Sequence, residues 1–146
     1  MNQIRPLAIC VFSRDGRILA AEGFDPLKQE TFYRPLGGGI EFGETGAETV
    51  RRELREEIGA EVAEVHYLGA LENIFTFNGQ PGHEIVLVYD GRLTDESLYT
   101  QSEIHGQDNE TLKFVAVWKS LDEFGPEAPL YPDGLVELLR LNEDRP

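Results

Sequence analysis

Residues 38–60 read GGIEFGETGAETVRRELREEIGA, and the second half of that stretch is a helix with both ends marked. Thr45, with Glu48 three residues later, forms a capping-box pattern. Ala47, Val50, Leu54 and Ile58 recur at helical spacing and make one apolar stripe. Gly59 stands where a left-handed residue ends a helix. At about 100° per residue, Glu53, Glu56 and Glu57 are related by steps of three and four, so their carboxylates leave one side of the helix. Such crowding costs a few tenths of a kcal/mol per pair, and Arg52 and Arg55 offset part of it.

An acidic helical face is, taken alone, usually a solvated surface. The functional alternative is a site for a hard cation such as Mg²⁺, which takes oxygen ligands and bridges carboxylates to substrate phosphates. The wider spacing separates the two readings. From Gly38 the chain runs glycine, five residues, Glu44, seven residues, Arg52-Glu53-Leu54, one residue, Glu56-Glu57, one residue, Gly59-Ala60. This resembles the signature box of the Nudix hydrolases. All seven fixed identities are present, and at this chain's own residue frequencies a chance match is on the order of 10⁻⁵. Ala60 stands where a larger aliphatic is usual, which bears on packing. Tyr33–Glu41 and Val117–Phe124 also resemble the family's approach segment and its late strand.

The resemblance implies a single domain over residues 1–146, with the α/β (α+β) fold of that family, an α/β/α sandwich around a mixed β-sheet. It also implies hydrolysis of the diphosphate linkage of a nucleoside diphosphate joined to another moiety, by water attack at phosphorus with Mg²⁺ or Mn²⁺. Glu56 and Glu57 would then be metal ligands, and Glu53 a ligand or the general base. Arg52 would hold the glutamates by ion pairing, and Glu44 would support the loop–helix junction or a metal-bound water. Gly37, Gly38 and Gly39 read as a loop that permits close backbone approach; Gly37 would bring a carbonyl to the metal, and Gly38 and Gly39 would face substrate. Outside the box, Arg34 is a candidate phosphate ligand or a solvated strand-end arginine. Glu110 is the candidate for an extra metal-binding acid, in competition with Glu103 and Asp108. His83, at a hairpin edge, is a candidate substrate contact or a structural histidine.

Bulk properties fit this reading. The 146 residues suit one core. The 27 acids against 13 Lys plus Arg, net charge -14, exclude duplex nucleic acid as a partner, because its binding relies on Lys and Arg contacts to phosphate. Eight glutamates lie between Glu41 and Glu64. The lone Cys10, in the apolar run Leu7–Phe12, is a buried core residue, and a single thiol makes no internal disulfide. That run is too short for a membrane span and lacks the shape of a signal peptide, so a cytoplasmic setting without membrane contact is expected. A homodimer is compatible with the resemblance.

Elsewhere, Pro6–Ser13 and Arg17–Glu22 around Arg14-Asp15-Gly16 predict a hairpin. Residues 24–30 predict a loop and Thr31–Pro35 a short strand. Val62–Phe77 and Glu84–Leu93 predict a second hairpin joined by residues 78–82. Residues 94–110 predict a long loop, Leu112–Trp118 a strand, and Asp133–Leu141 an amphipathic helix. A catalytically inactive, nucleotide-sensing Nudix-like domain is the alternative function, weakened because every box glutamate is kept. Marks of ADP-ribose, diadenosine polyphosphate and coenzyme A subfamilies are absent, which leaves the substrate open.

Overall fold

The computed structural model describes residues 2–108 and 112–143. Strand β1 (Ile4–Val11) is its centre. Leu7, Ile9 and Val11 are buried on one face, while Ala8, Cys10 and the adjoining Phe12 are buried on the other. A strand apolar on both sides must be covered on both sides. Helix α1 (Gly46–Ile58) supplies Val50 and Leu54 to the Ala8–Cys10–Phe12 face. Helix α2 (Leu135–Asn142) supplies Leu135 and Leu139 to the other. The result is the α/β/α sandwich expected from the resemblance.

This double burial corrects the first predicted hairpin. β1 pairs in parallel with β7 (Gln80–Leu93) and antiparallel with β5 (Leu36–Gly39). Only β2 (Ser13–Arg14) folds back on β3 (Arg17–Asp25), around Asp15 and Gly16 at positive φ. The continuous apolar run therefore divides at Phe12 between two sheets. A two-stranded hairpin would have left one of its apolar faces in water.

The mixed sheet has the order β5-β1-β7-β6, with β6 spanning Val62–Phe77. The β6–β7 hairpin turns at Asn78 (φ 49) and Gly79 (φ 78), a two-residue turn with both φ positive that matches strand twist. Gln80, Pro81 and Gly82 belong to β7 rather than to the connection. The second sheet is antiparallel: β3 pairs with β4 (Glu30–Arg34) and with β9 (Lys113–Ser120), and β9 pairs with β8 (Glu103–Gln107). Residues 94–110 are thus not one long loop. They hold a 3₁₀ turn (Glu96–Thr100) and β8, anchored by buried Tyr99 and Ile104. Their polar composition hides two anchors too far apart to form a periodic pattern.

Helix α1 follows the sequence closely. Thr45 Oγ1 accepts from the Glu48 N–H at 3.1 Å, and Glu48 Oε1 accepts from the Thr45 N–H at 2.9 Å. Gly59 closes the helix at φ 67. Among the described residues, no helix is long and apolar enough to cross a membrane.

Candidate active site

The three glycines do not form a loop. Gly37, Gly38 and Gly39 are strand residues of β5, in register with Ile9, Ala8 and Leu7. They run along the edge of the mixed sheet directly above α1, and at Gly37 and Gly38 there is no space for a side chain. A Cβ on Gly38 would lie 2.5 Å from Glu53 Cδ, and one on Gly37 would run into the Ala8 carbonyl. The Glu53 carboxylate therefore occupies the volume a side chain at position 38 would fill.

Arg52 organises the acids. Its Nε donates to Glu44 Oε2 at 2.6 Å and its Nη2 to Glu44 Oε1 at 3.0 Å, a bidentate pair. Nη1 donates to Glu53 Oε1 at 2.9 Å and to Glu56 Oε2 at 3.3 Å. Nη2 also donates to the Gly39 carbonyl at 3.0 Å, which fixes the helix to β5. Glu44 is further held by Thr49 Oγ1 at 2.7 Å and the Glu41 N–H at 3.1 Å. Hydrogen bonds from Arg52, then from Thr49, hold the Glu44 carboxyl down at about 2.

The box glutamates differ sharply in environment. Glu56 is well exposed, whereas Glu53 is 6% exposed. Burial raises the Glu53 carboxyl against the pull of Arg52. Burial, followed by repulsion from Glu53, pushes Glu57 up to about 8; the Gly37 amide opposes this, while Asp108 and Glu56 add smaller repulsion. Glu57 Oε1 is fully buried and has no hydrogen-bond partner among the described residues. A buried carboxylate oxygen left in that state is expensive unless a proton or a cation meets it.

These residues open onto a cleft of about 500 Å³. Of the predicted residues, Glu53, Glu57, Gly37, Gly38, Gly39 and Arg34 line it, as does Asp108 from the end of β8. Glu44 and Glu56 are not among its lining residues; Arg52 joins both to Glu53. His83 is not brought to the cleft: it is followed by Glu84, which does line it, and neighbouring strand residues point to opposite faces. Glu103 is exposed and lies 3.5 Å from His105. Glu110 lies outside the described residues.

The cleft also contains Arg5, Glu84 and Phe32, none of which the sequence reading selected. A signal for Glu84 existed. It is in phase with Val86 and Val88, so a period-two pattern places a carboxylate on a buried strand face.

With Glu53 and Glu56 turned toward Arg52, no three acidic, His or Cys side chains among the described residues enclose a cation as they stand. The donor set nevertheless suits a hard divalent ion. Glu53, Glu56 and Glu57 offer only oxygens, and the orphaned Glu57 Oε1 is the atom such an ion would satisfy.

An acid-bearing helix beneath a glycine edge strand, within an α/β/α sandwich, defines a class of fold and site. The family model for the NUDIX domain matches residues 1–140, and the chain belongs to that family. It is 32% identical over 101 residues to the oxidized purine nucleoside triphosphate hydrolase of Mus musculus, covering 69% of this chain and 56% of that protein. It is 31% identical over 124 residues to the NAD-capped RNA hydrolase NudC of Pseudomonas aeruginosa, covering 85% of this chain and 39% of that one. The chain thus aligns with between two fifths and just over half of these relatives' lengths. Among solved structures, the E. coli ORF135 protein superposes with TM-score 0.62 at 26% identity, covering 99% of this chain and 95% of that one. The MutT NUDIX hydrolase from Burkholderia pseudomallei shares the fold, with TM-score 0.65 at 23% identity, covering 96% and 99%.

Proposed function

We propose that the protein is a divalent-metal-dependent pyrophosphohydrolase that cleaves the diphosphate linkage of a nucleoside diphosphate derivative. One observation carries this reading: Glu57 Oε1 is buried at the cleft without a partner, beside a second buried carboxylate, Glu53. Such an arrangement favours a protonated acid in isolation and a carboxylate once a cation is present. Membership of the NUDIX family and the hydrolase names of its relatives support the same conclusion.

Glu53, Glu56 and Glu57 would hold the ion, and Asp108, which lines the cleft just after β8, would add a fourth carboxylate. When bound, Mg²⁺ or Mn²⁺ lowers the pKa of a coordinated water and neutralises charge on the diphosphate oxygens. Arg52 fixes Glu53 and Glu56 without itself lining the cleft. Arg34 and Arg5 bring positive charge to the cleft wall, which a polyanionic substrate needs in a chain of net charge -14. The Leu7 and Ile9 side chains form an apolar floor for the remainder of the ligand.

The test is release of phosphate or nucleotide from a panel of nucleoside diphosphate derivatives in Mg²⁺ and Mn²⁺. Glu57→Gln should abolish metal-dependent turnover while leaving the melting profile that of a folded protein. Near-wild-type turnover in that variant would refute the assignment. The inactive sensing alternative has no observation in its favour, since the acids and their support are all in place.

A further inference from the structure

A second polar row crosses the cleft away from the helical acids. Arg5 on β1, Glu84 on β7 and Asn73 on β6 are cross-strand partners. Glu84 faces the same way as the fully buried Val86 and Val88, lines the cleft, and is itself only 4% exposed. A carboxylate on an apolar strand face is costly unless paired. Its Oε1 accepts from Arg34 Nη2 at 3.4 Å and from Asn73 Nδ2 at 3.3 Å. Asn73 is held in turn, its Oδ1 accepting the Asp133 N–H at 3.2 Å.

Both donors converge on one oxygen. Among the described residues none donates to Oε2, and the Glu84 side chain lines the cleft. A carboxylate present only to neutralise Arg34 would engage the guanidinium fork with both oxygens. Here one oxygen takes both donors and the other takes none, on a side chain that lines the cleft. Nearby, the Phe32 ring covers Gly23, where a Cβ would run into it, and forms a flat wall of the cleft. A negatively charged acceptor beside an aromatic wall disfavours phosphate and suits a planar ring that carries N–H donors.

We propose that Glu84 is a specificity-determining residue whose Oε2 accepts a hydrogen bond from the exocyclic amine of the substrate's nucleobase, with the ring packed against Phe32. This rests on the hydrolase reading above and narrows its substrate class to amino-substituted bases. A hydrogen bond to a charged group is worth about 1.5–3 kcal/mol, or roughly 10–100-fold in discrimination.

The test uses matched pairs that differ mainly by the amine: GTP against ITP, and CTP against UTP. In the wild-type protein kcat/KM should favour the amino member of each pair by at least roughly tenfold. Glu84→Gln keeps the side-chain volume and should bring each ratio close to one, with a melting profile that confirms folding. Calorimetric titration of GMP against IMP, and CMP against UMP, reads the same preference without turnover. Amine-dependent binding that Glu84→Gln removes, in a protein that hydrolyses none of the panel, would sustain the inference and refute the hydrolase reading. Hydrolysis without discrimination, or a ratio unchanged in Glu84→Gln, would overturn the inference.

Discussion

Arg52 Nε sits 2.6 Å from Glu44 Oε2, and this contact couples the turn before α1 to the glutamates in its middle. The same guanidinium reaches Glu53, Glu56 and the Gly39 carbonyl. One planar group therefore sets the relative positions of two candidate metal ligands and the strand above them, a task suited to the fixed fork of arginine.

Replacement of that fork by a point charge gives the first prediction. Arg52→Lys keeps the charge but cannot make all of these contacts together. Turnover should fall by roughly 10–100-fold, and the Mg²⁺ concentration for half-maximal rate should rise, as for other groups that orient metal ligands. Metal titrations of steady-state rate check it; unchanged metal dependence would show that the fork is dispensable.

Gly38→Ala tests the cradle around Glu53. Position 38 has no unusual backbone requirement, so the effect comes from the added methyl, 2.5 Å from Glu53 Cδ. Overpacking of this kind costs about 1–3 kcal/mol. The variant should lose stability by that amount in urea and lose most activity, because Glu53 must move. Retained stability and rate would show that the carboxylate relocates freely.

The pH dependence of stability follows from two carboxyls shifted in opposite directions. Glu57 stands at about 8 when folded, against an ordinary 4.5. Between those values the folded protein keeps a proton that the unfolded chain has released, so stability falls as pH rises through that window. Glu44 stands at about 2. Its contribution is present above about 4.5 and disappears as pH drops toward 2. In EDTA, thermal melts should decline from mildly acidic pH toward about 8, and saturating Mg²⁺ should flatten that decline. A melting temperature that climbs steadily to pH 8 in EDTA would contradict the placement of Glu57.

Asp108 and Glu103 are separated by their surroundings. Asp108 lines the cleft and repels Glu57, whereas Glu103 is exposed on β8 near His105. Asp108→Asn still permits acceptance of the Leu112 N–H, now 3.0 Å from Oδ1, so that contact can be kept. It should lower turnover roughly tenfold in limiting Mg²⁺, a loss of about 1.4 kcal/mol in transition-state stabilisation. Glu103→Gln should leave the rate unchanged. Equal effects of the two substitutions would remove Asp108 from the metal environment.

What was legible in the sequence was local. Helix α1, its Thr45–Glu48 cap, its Gly59 stop and the existence of a turn after Phe77 depend on residues within a few positions of one another. The spacing of Arg52, Glu53, Glu56 and Glu57 is equally local, because a helix turns i, i+3 and i+4 into neighbours. The tertiary structure decided everything that depends on register between distant strands. It divided the apolar run at Phe12 between two sheets, made Gly37–Gly39 an edge strand, and found β8 inside a polar segment. It also placed Arg5 beside Glu84, and Glu84 within reach of Arg34, across sequence gaps of 79 and 50 residues. A helix carries its geometry in its own backbone hydrogen bonds. A strand acquires partners, and therefore neighbours for its charges, only when the sheet assembles.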